Sequence, residues 1–296
     1  MISIITATYN RGYIIENLYH SLQRQTCHDF EWVVIDDGSN DNTFELVSSW
    51  KVSETLFPIW VFKQENGGKH RAVNFGVSKA KGDWCFIVDS DDMLSEDAVE
   101  TIKEWTSLAE PLKHIAAVAG QKGRMGSSHF PIGGYPVLKP GHAFVDAKNT
   151  ERRKLNLLGD KAEIYRTKLL KKYPFKTFEG ENFMSECTVW DEIAYQGYYV
   201  RWYSKVIYYC DYLTDGLTQS GDVKEKKNFN GFTYLTQQRI KCHGLIEGII
   251  ARGYYYSVCN SMNKGLKEAA KNLNSSRPII YLCYQLWKLK NVFYNK

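Results

Sequence analysis

Trp84-Cys85-Phe86-Ile87-Val88-Asp89-Ser90-Asp91-Asp92 sets three acids directly after five apolar residues. A run of that length and composition reads as a buried strand of a parallel sheet. Upstream the pattern repeats: Trp32-Val33-Val34-Ile35 stops abruptly at Asp36-Asp37-Gly38-Ser39. Ile2 to Thr8 and Ile59-Trp60-Val61-Phe62 supply two further strands. Helical spacing fills the gaps between them. Ile14, Ile15, Leu18 and Leu22 predict a helix up to about Thr26, and Asn40 to Thr43 would cap another toward Trp50. Ala72, Val73, Phe75 and Val77 predict a third, stopping near Lys81-Gly82. Strands alternating with helices make βαβ units and a parallel sheet, and such sheets bind ligands beyond the carboxyl ends of their strands.

Both acid groups sit at such ends, so Asp36, Asp37, Asp89, Asp91 and Asp92 should share one edge of the sheet. Crowded carboxylates raise one another's pKa unless a cation neutralises them. A divalent ion does so, and hard oxygen ligands favour Mg²⁺ or Mn²⁺ over zinc. The same residues also make ordinary turns and helix caps, so position alone leaves both readings open.

Several ordered segments together resemble a family 2 glycosyltransferase: Ile4-Ile5-Thr6-Ala7-Thr8-Tyr9-Asn10-Arg11, Ser21-Leu22-Gln23-Arg24-Gln25-Thr26, Val34-Ile35-Asp36-Asp37-Gly38-Ser39, Asn66-Gly67-Gly68-Lys69-His70, Lys81-Gly82 and Asp89-Ser90-Asp91-Asp92. The resemblance covers roughly residues 1–220, and departs from the family at Ala7, where proline is common. It implies an α/β GT-A fold with a mainly parallel central sheet, and an inverting, metal-dependent transfer of a sugar from a nucleoside-diphosphate donor, a UDP-sugar. By the same resemblance Thr8 and Tyr9 would flank the base, and Asp37 would accept from a uracil-type imide. Asp89 would contact ribose or metal and Asp91 would be the principal metal ligand, with Asp92 its nearest substitute. Arg11, Gly67, Gly68, Lys69, Asn74 and Ser90 complete the expected donor-binding set, the Gly-Gly pair allowing close backbone approach to an anion.

An inverting transfer needs a general base for the acceptor hydroxyl. Between Phe178 and Ala194 the chain offers Glu179, Glu181, Glu186, Asp191 and Glu192. Glu186, near the first turn of a helix carrying Val189, Trp190 and Ile193, resembles the second acid of the family's Glu-Asp pair, with Ser185 replacing the first. Glu186 is therefore the expected base and Asp191 the fallback; the alternative is that Glu186 only complements the helix dipole. Tyr198 to Trp202 and Val206 to Tyr209 read as two strands, followed by a loop in which Asp215 would approach the metal or form an Asp-Gly turn.

At 296 residues, 44% hydrophobic and 24% charged, the chain has the composition of a globular protein with room for a large core. Seven scattered cysteines, none in a C-x-x-C pair, argue against a disulfide framework or a zinc site. With no signal-like segment before Ile2 and no apolar run of membrane-spanning length, the expected location is cytoplasmic. Charge is unevenly placed. Residues from Lys224 onward hold 13 Lys and Arg against three acids, a net of +10, and the preceding 223 carry −5. The expected organisation is a catalytic domain over 1–223, with a nucleotide-binding half (1–100) and an acceptor-binding half (101–223), and a basic, aromatic-rich helical segment over 224–296. That segment suits the inner face of a membrane, or simply packs on the catalytic domain, its charge being a solvated basic face. Partners would be a nucleotide sugar and a saccharide or lipid-linked saccharide acceptor, in cell-surface polysaccharide or glycoconjugate synthesis, with no nucleic acid. A nucleotidyltransferase that makes the activated sugar fits less well, because no Gly-rich, basic loop follows the first strand. A non-catalytic carbohydrate- or nucleic-acid-binding module would explain the aromatics and the basic tail, and would release no UDP from a UDP-sugar with Mn²⁺.

Overall fold

The computed structural model describes residues 1–211 and 221–294. Contacts divide the chain into two compact units, Met1–Pro174 with Gln196–Leu213, and Phe175–Tyr195 with Thr214–Lys296. The sequence reading drew a single boundary at 223. The packing instead groups Phe175–Tyr195, with Glu186 in it, with the C-terminal helices.

In the first unit, β1 (Ile2–Thr8), β2 (Phe30–Asp36), β3 (Ile59–Lys63) and β4 (Trp84–Ile87) form the expected parallel half-sheet, in the order β3-β2-β1-β4. Helices α1 (Ile15–Gln23), α2 (Thr43–Ser53) and α3 (Lys69–Lys79) connect them. β1 and β2 are buried on both faces, which is why their sequences are almost continuously apolar. The chain moves outward from β1 to β3 and then crosses back to β4. The reversal of strand order therefore lies between β1 and β4, where open parallel sheets leave a crevice for ligands.

Beyond β4 the sheet is mixed. β9 (Lys161–Arg166) runs antiparallel to both β4 and β6 (Ile115–Arg124), and β6 lies parallel to β10 (Tyr199–Cys210). β5 (Met93–Leu94) and β8 (Phe144–Ala147) pair antiparallel to β10, and β7 (Ser127–Pro131) to β6. α4 (Ala98–Ala109), a 3-10 turn over Asn149–Leu155 and α5 (Thr167–Lys172) complete the unit. The two strands expected at 198–209 are one, β10, with register shifts between Trp202 and Val206. Exposed Ser204 and Lys205 interrupt the apolar pattern without ending the strand, and Lys205 reaches Asp97 at 2.6 Å.

The second unit is helical: α6 (Cys187–Tyr195), α7 (Gly221–Lys227), α8 (Phe229–Cys242), α9 (Leu245–Ser261), α10 (Leu266–Asn272) and α11 (Arg277–Tyr294). Its core gathers Phe232, Tyr255, Val258, Cys259, Leu273 and Ile280. The Glu181 carboxylate accepts from Asn230 N–H and Gly231 N–H at 2.7 Å each, satisfying donors at the start of α8 that the helix itself leaves open.

Candidate active site

The first acid pair closes a loop. Asp37 is buried, and its carboxylate accepts four hydrogen bonds: from Gln64 Nε2 (2.6 Å) and Gly67 N–H (3.1 Å) at Oδ1, and from Gly68 N–H (2.7 Å) and Asn66 Nδ2 (3.3 Å) at Oδ2. A carboxylate has about four acceptor positions, so these donors fill it. Asp37 thus anchors the β3–α3 loop to β2 and sets the start of α3 at Lys69, earlier than the apolar spacing from Ala72 predicts. Gly38 sits at φ +82°, and a Cβ there would meet Asn66 N at 2.8 Å, so the close approach of the two loops requires glycine. Asp36, equally buried, lies 3.4 Å from Lys63 Nζ. Alongside, Asn10 N–H donates to Ser39 Oγ and Arg11 N–H to Thr43 Oγ1, both at 2.9 Å, tying the end of β1 to the same loop.

The second acid group is differently furnished. Asp89 Oδ1 pairs with Lys69 Nζ at 2.5 Å, each side chain about a third exposed. Asp92 is buried and accepts from the Tyr208 hydroxyl at 2.6 Å. Burial pushes the Asp89 carboxyl upward, but the Lys69 and Lys122 ammoniums outweigh it and hold Asp89 below the usual carboxylate range. Burial first, and then the Asp89 charge, push Asp92 up to about 7. The same two causes raise Asp91. Of the three, Asp91 alone has no side-chain hydrogen bond or ion pair among the described residues; its carboxylate meets its own backbone amide and feels the charges of Arg11 and Lys69.

No three His, Cys, Asp or Glu side chains among the described residues are placed to enclose a metal ion. The donor set nevertheless fits one shared with a ligand. A carboxylate raised by its neighbours and left unpartnered is relieved by a cation, and Mg²⁺ or Mn²⁺ commonly takes one or two protein carboxylates and fills its shell with phosphate oxygens and water.

Residues 3–134 match the profile of glycosyl transferase family 2. This stretch is a family 2 glycosyltransferase segment. Over 104 residues, 34% of either chain, the chain is 39% identical to the glycosyltransferase GlyG of Streptococcus pneumoniae serotype 4. Over 97 residues it is 35% identical to a poly-beta-1,6-N-acetyl-D-glucosamine synthase of Staphylococcus aureus, covering 33% of this chain and 23% of that one. The matched stretches thus span about a third or less of these curated relatives. S. aureus TarS 1-349 in complex with UDP superposes with a TM-score of 0.61 at 20% identity, over 88% of this chain and 72% of that one. The mannosyltransferase PcManGT of Pyrobaculum calidifontis, in complex with GDP-Man and Mn²⁺, gives 0.54 at 16% identity, over 95% and 73%. The fold is the α/β GT-A fold of these transferases.

The family 2 segment brings most of the expected residues to the carboxyl edge of the parallel half-sheet. Thr8 ends β1, and its Oγ1 is buried with no hydrogen-bond partner among the described residues. Tyr9 is exposed, Ser90 is buried, and Arg11 and Asn74 are half-buried. Lys69 opens α3 directly after Gly67 and Gly68, and its partner Asp89 follows β4. Glu186 and Asp191 belong to the second unit. Glu186 heads α6, its carbonyl accepting from Val189 N–H at 3.0 Å, and buried Asp191 is engaged by His243 Nε2 at 2.7 Å. Asp215 lies outside the described residues.

Sequence reasoning passed over Lys122 and Tyr208, whose strands bring them to the second acid group. Lys122 Nζ stands 3.9 Å from the centre of the Tyr208 ring and is near enough to Asp89 and Asp92 for their charges to raise its pKa against the effect of burial. A lysine inside the otherwise buried run Ile115 to Gly123 was the available signal.

Proposed function

We propose that this protein is an inverting glycosyltransferase that moves a sugar from a nucleoside-diphosphate donor, a UDP-sugar, to a hydroxyl of a saccharide acceptor in cell-surface polysaccharide synthesis. The observation that carries the reading is the meeting of Asp89, Asp91, Asp92, Lys69 and the Gly67-Gly68 loop at the β1–β4 crevice. The family match of residues 3–134, and relatives named as a glycosyltransferase and a polysaccharide synthase, support it.

In this reading Thr8 and Tyr9 border the base, and Lys69 exchanges Asp89 for a phosphate oxygen when the donor arrives. Asp37 acts on the base through the loop it holds, or accepts a uracil N–H in exchange for one of its four donors. Asp91, with Asp89, would hold a divalent ion, Mn²⁺ or Mg²⁺, which would supply positive charge against the charge building on the leaving diphosphate. Glu186 takes the proton of the acceptor hydroxyl as its oxygen bonds to the anomeric carbon, and the bond from that carbon to the diphosphate oxygen breaks. Thermal-shift screening of nucleotides and nucleotide sugars, followed by measurement of UDP release from UDP-sugars with Mn²⁺, tests the reading. No stabilisation by any nucleotide and no UDP release would remove it. Glu186→Gln should keep donor affinity and suppress transfer, and unimpaired transfer would dismiss Glu186 as base.

A lipid-linked acceptor at the inner face of the membrane is favoured by α11. Ile279, Leu282, Leu286 and Leu289, spaced along one side of that helix, are 43–59% exposed, and no acid follows Glu268. No helix of the described residues is long and apolar enough to cross a membrane, so the contact would be peripheral. The protein should sediment with phosphatidylglycerol vesicles and not with phosphatidylcholine ones. Recovery in the supernatant with both would exclude the contact.

A further inference from the structure

The turn holding Asp89, Ser90, Asp91 and Asp92 is pinned by a side chain from another part of the sheet. Its internal hydrogen bond, Asp92 N–H to Asp89 O, is 3.3 Å, just beyond the usual range. Asp89 N–H donates to the Tyr208 hydroxyl oxygen at 3.0 Å, and the same hydroxyl donates to Asp92 Oδ2 at 2.6 Å. One hydroxyl spends its donor and an acceptor position on the two ends of the turn. That hydroxyl is itself held in place. Tyr208 is fully buried, meets Phe86 edge-on at 6.0 Å, carries the Lys122 ammonium against its ring, and is fixed in register by pairing with Leu94 on β5 and Lys122 on β6.

These contacts sort three chemically equal acids: Asp89 to Lys69, Asp92 to Tyr208, and Asp91 to neither. Without the hydroxyl, the Asp92 carboxylate would be buried without its hydrogen-bond donor, a costly state relieved by taking up a proton or by turning the loop.

We propose that Tyr208, braced by Lys122, is a positioning residue of the donor site, whose hydroxyl holds Asp92 inward so that Asp91 is the carboxylate presented to the diphosphate and its cation. The inference rests on the nucleotide-sugar reading above and adds to it the device that selects the ligand acid. Lys122 serves twice, as a cation on the face of the ring and as a positive charge offsetting Asp89 and Asp92.

Tyr208→Phe keeps the ring, its burial and the Lys122 contact, and removes only the hydroxyl. UDP and GDP are titrated calorimetrically into wild type and variant, with Mn²⁺ and again in EDTA. Expected is a loss of about tenfold or more in UDP affinity with Mn²⁺, the scale of one hydrogen bond to a charged group, and less than about a twofold change in EDTA. A merely structural tyrosine would weaken both conditions together, so the EDTA titration is also the folding control. Equal affinities for wild type and variant with Mn²⁺, or parallel losses in both conditions, overturn the positioning role alone. Failure of wild type to bind either nucleotide overturns the nucleotide-sugar reading, and this inference with it.

Discussion

Asp37 and Asp91 stand in the same place in the chain's logic, just beyond a buried parallel strand, yet their carboxylates have opposite amounts of unused capacity. Asp37 is filled by four donors from one loop, whereas Asp91 has a raised pKa and no side-chain partner among the described residues. The first carboxylate holds backbone shape, and the second keeps its oxygens unused, which is why the proposed function assigns the cation to Asp91. Donor count separates the roles where residue type does not.

That contrast is open to direct attack, beginning with its largest expected consequence. Asp91→Ala should abolish Mn²⁺-dependent UDP binding, a loss of roughly a hundredfold or more, while leaving the unliganded protein as stable as wild type or more so, since a destabilised carboxylate is removed. Calorimetry with and without Mn²⁺, beside a urea melt, reads both, and unchanged affinity would break the comparison at its centre. Asp37→Ala should do the reverse, costing about 3 kcal/mol in urea unfolding, because it strands Gly67 and Gly68 N–H and the Gln64 amide in a packed loop. Should that variant melt like wild type, Asp37 would not be the loop's anchor.

Asp92 sharpens the contrast through pH. Its folded-state carboxyl titrates at about 7, above the ordinary value of 3.8, so between those limits the folded form binds more protons than the unfolded form. Stability from this group is therefore fully present below about 4 and is lost as pH rises through 7. Asp92→Asn, which keeps an acceptor for Tyr208, should gain on wild type between pH 5 and 8 by on the order of 1 kcal/mol. A difference that shrinks as pH rises would contradict the assignment. The smallest effect belongs to Lys63→Met. It removes a half-exposed ammonium 3.4 Å from Asp36 and should cost no more than about 1 kcal/mol in the same urea experiment.

In the second unit, the sequence pattern placed the start of a helix near Glu186, and α6 does begin at Cys187. It did not show that Asp191, the alternative base, has its carboxylate engaged by His243. It also split β10 in two, because Ser204 and Lys205 look like a turn when their neighbours across the sheet are unknown.

The alternation of apolar strands and amphipathic helices was enough to determine β1 through β4, their parallel direction and the strand ends at which acids emerge, since those features follow from local periodicity and the geometry of crossovers. Tertiary structure alone decided what each acid could still do. The donors that fill Asp37 come from 27 to 31 residues away, and the hydroxyl that engages Asp92 from 116 away, so no local pattern records them. A carboxylate's role depends on which donors reach it in space, and sheet register sets that rather than the order of residues along the chain.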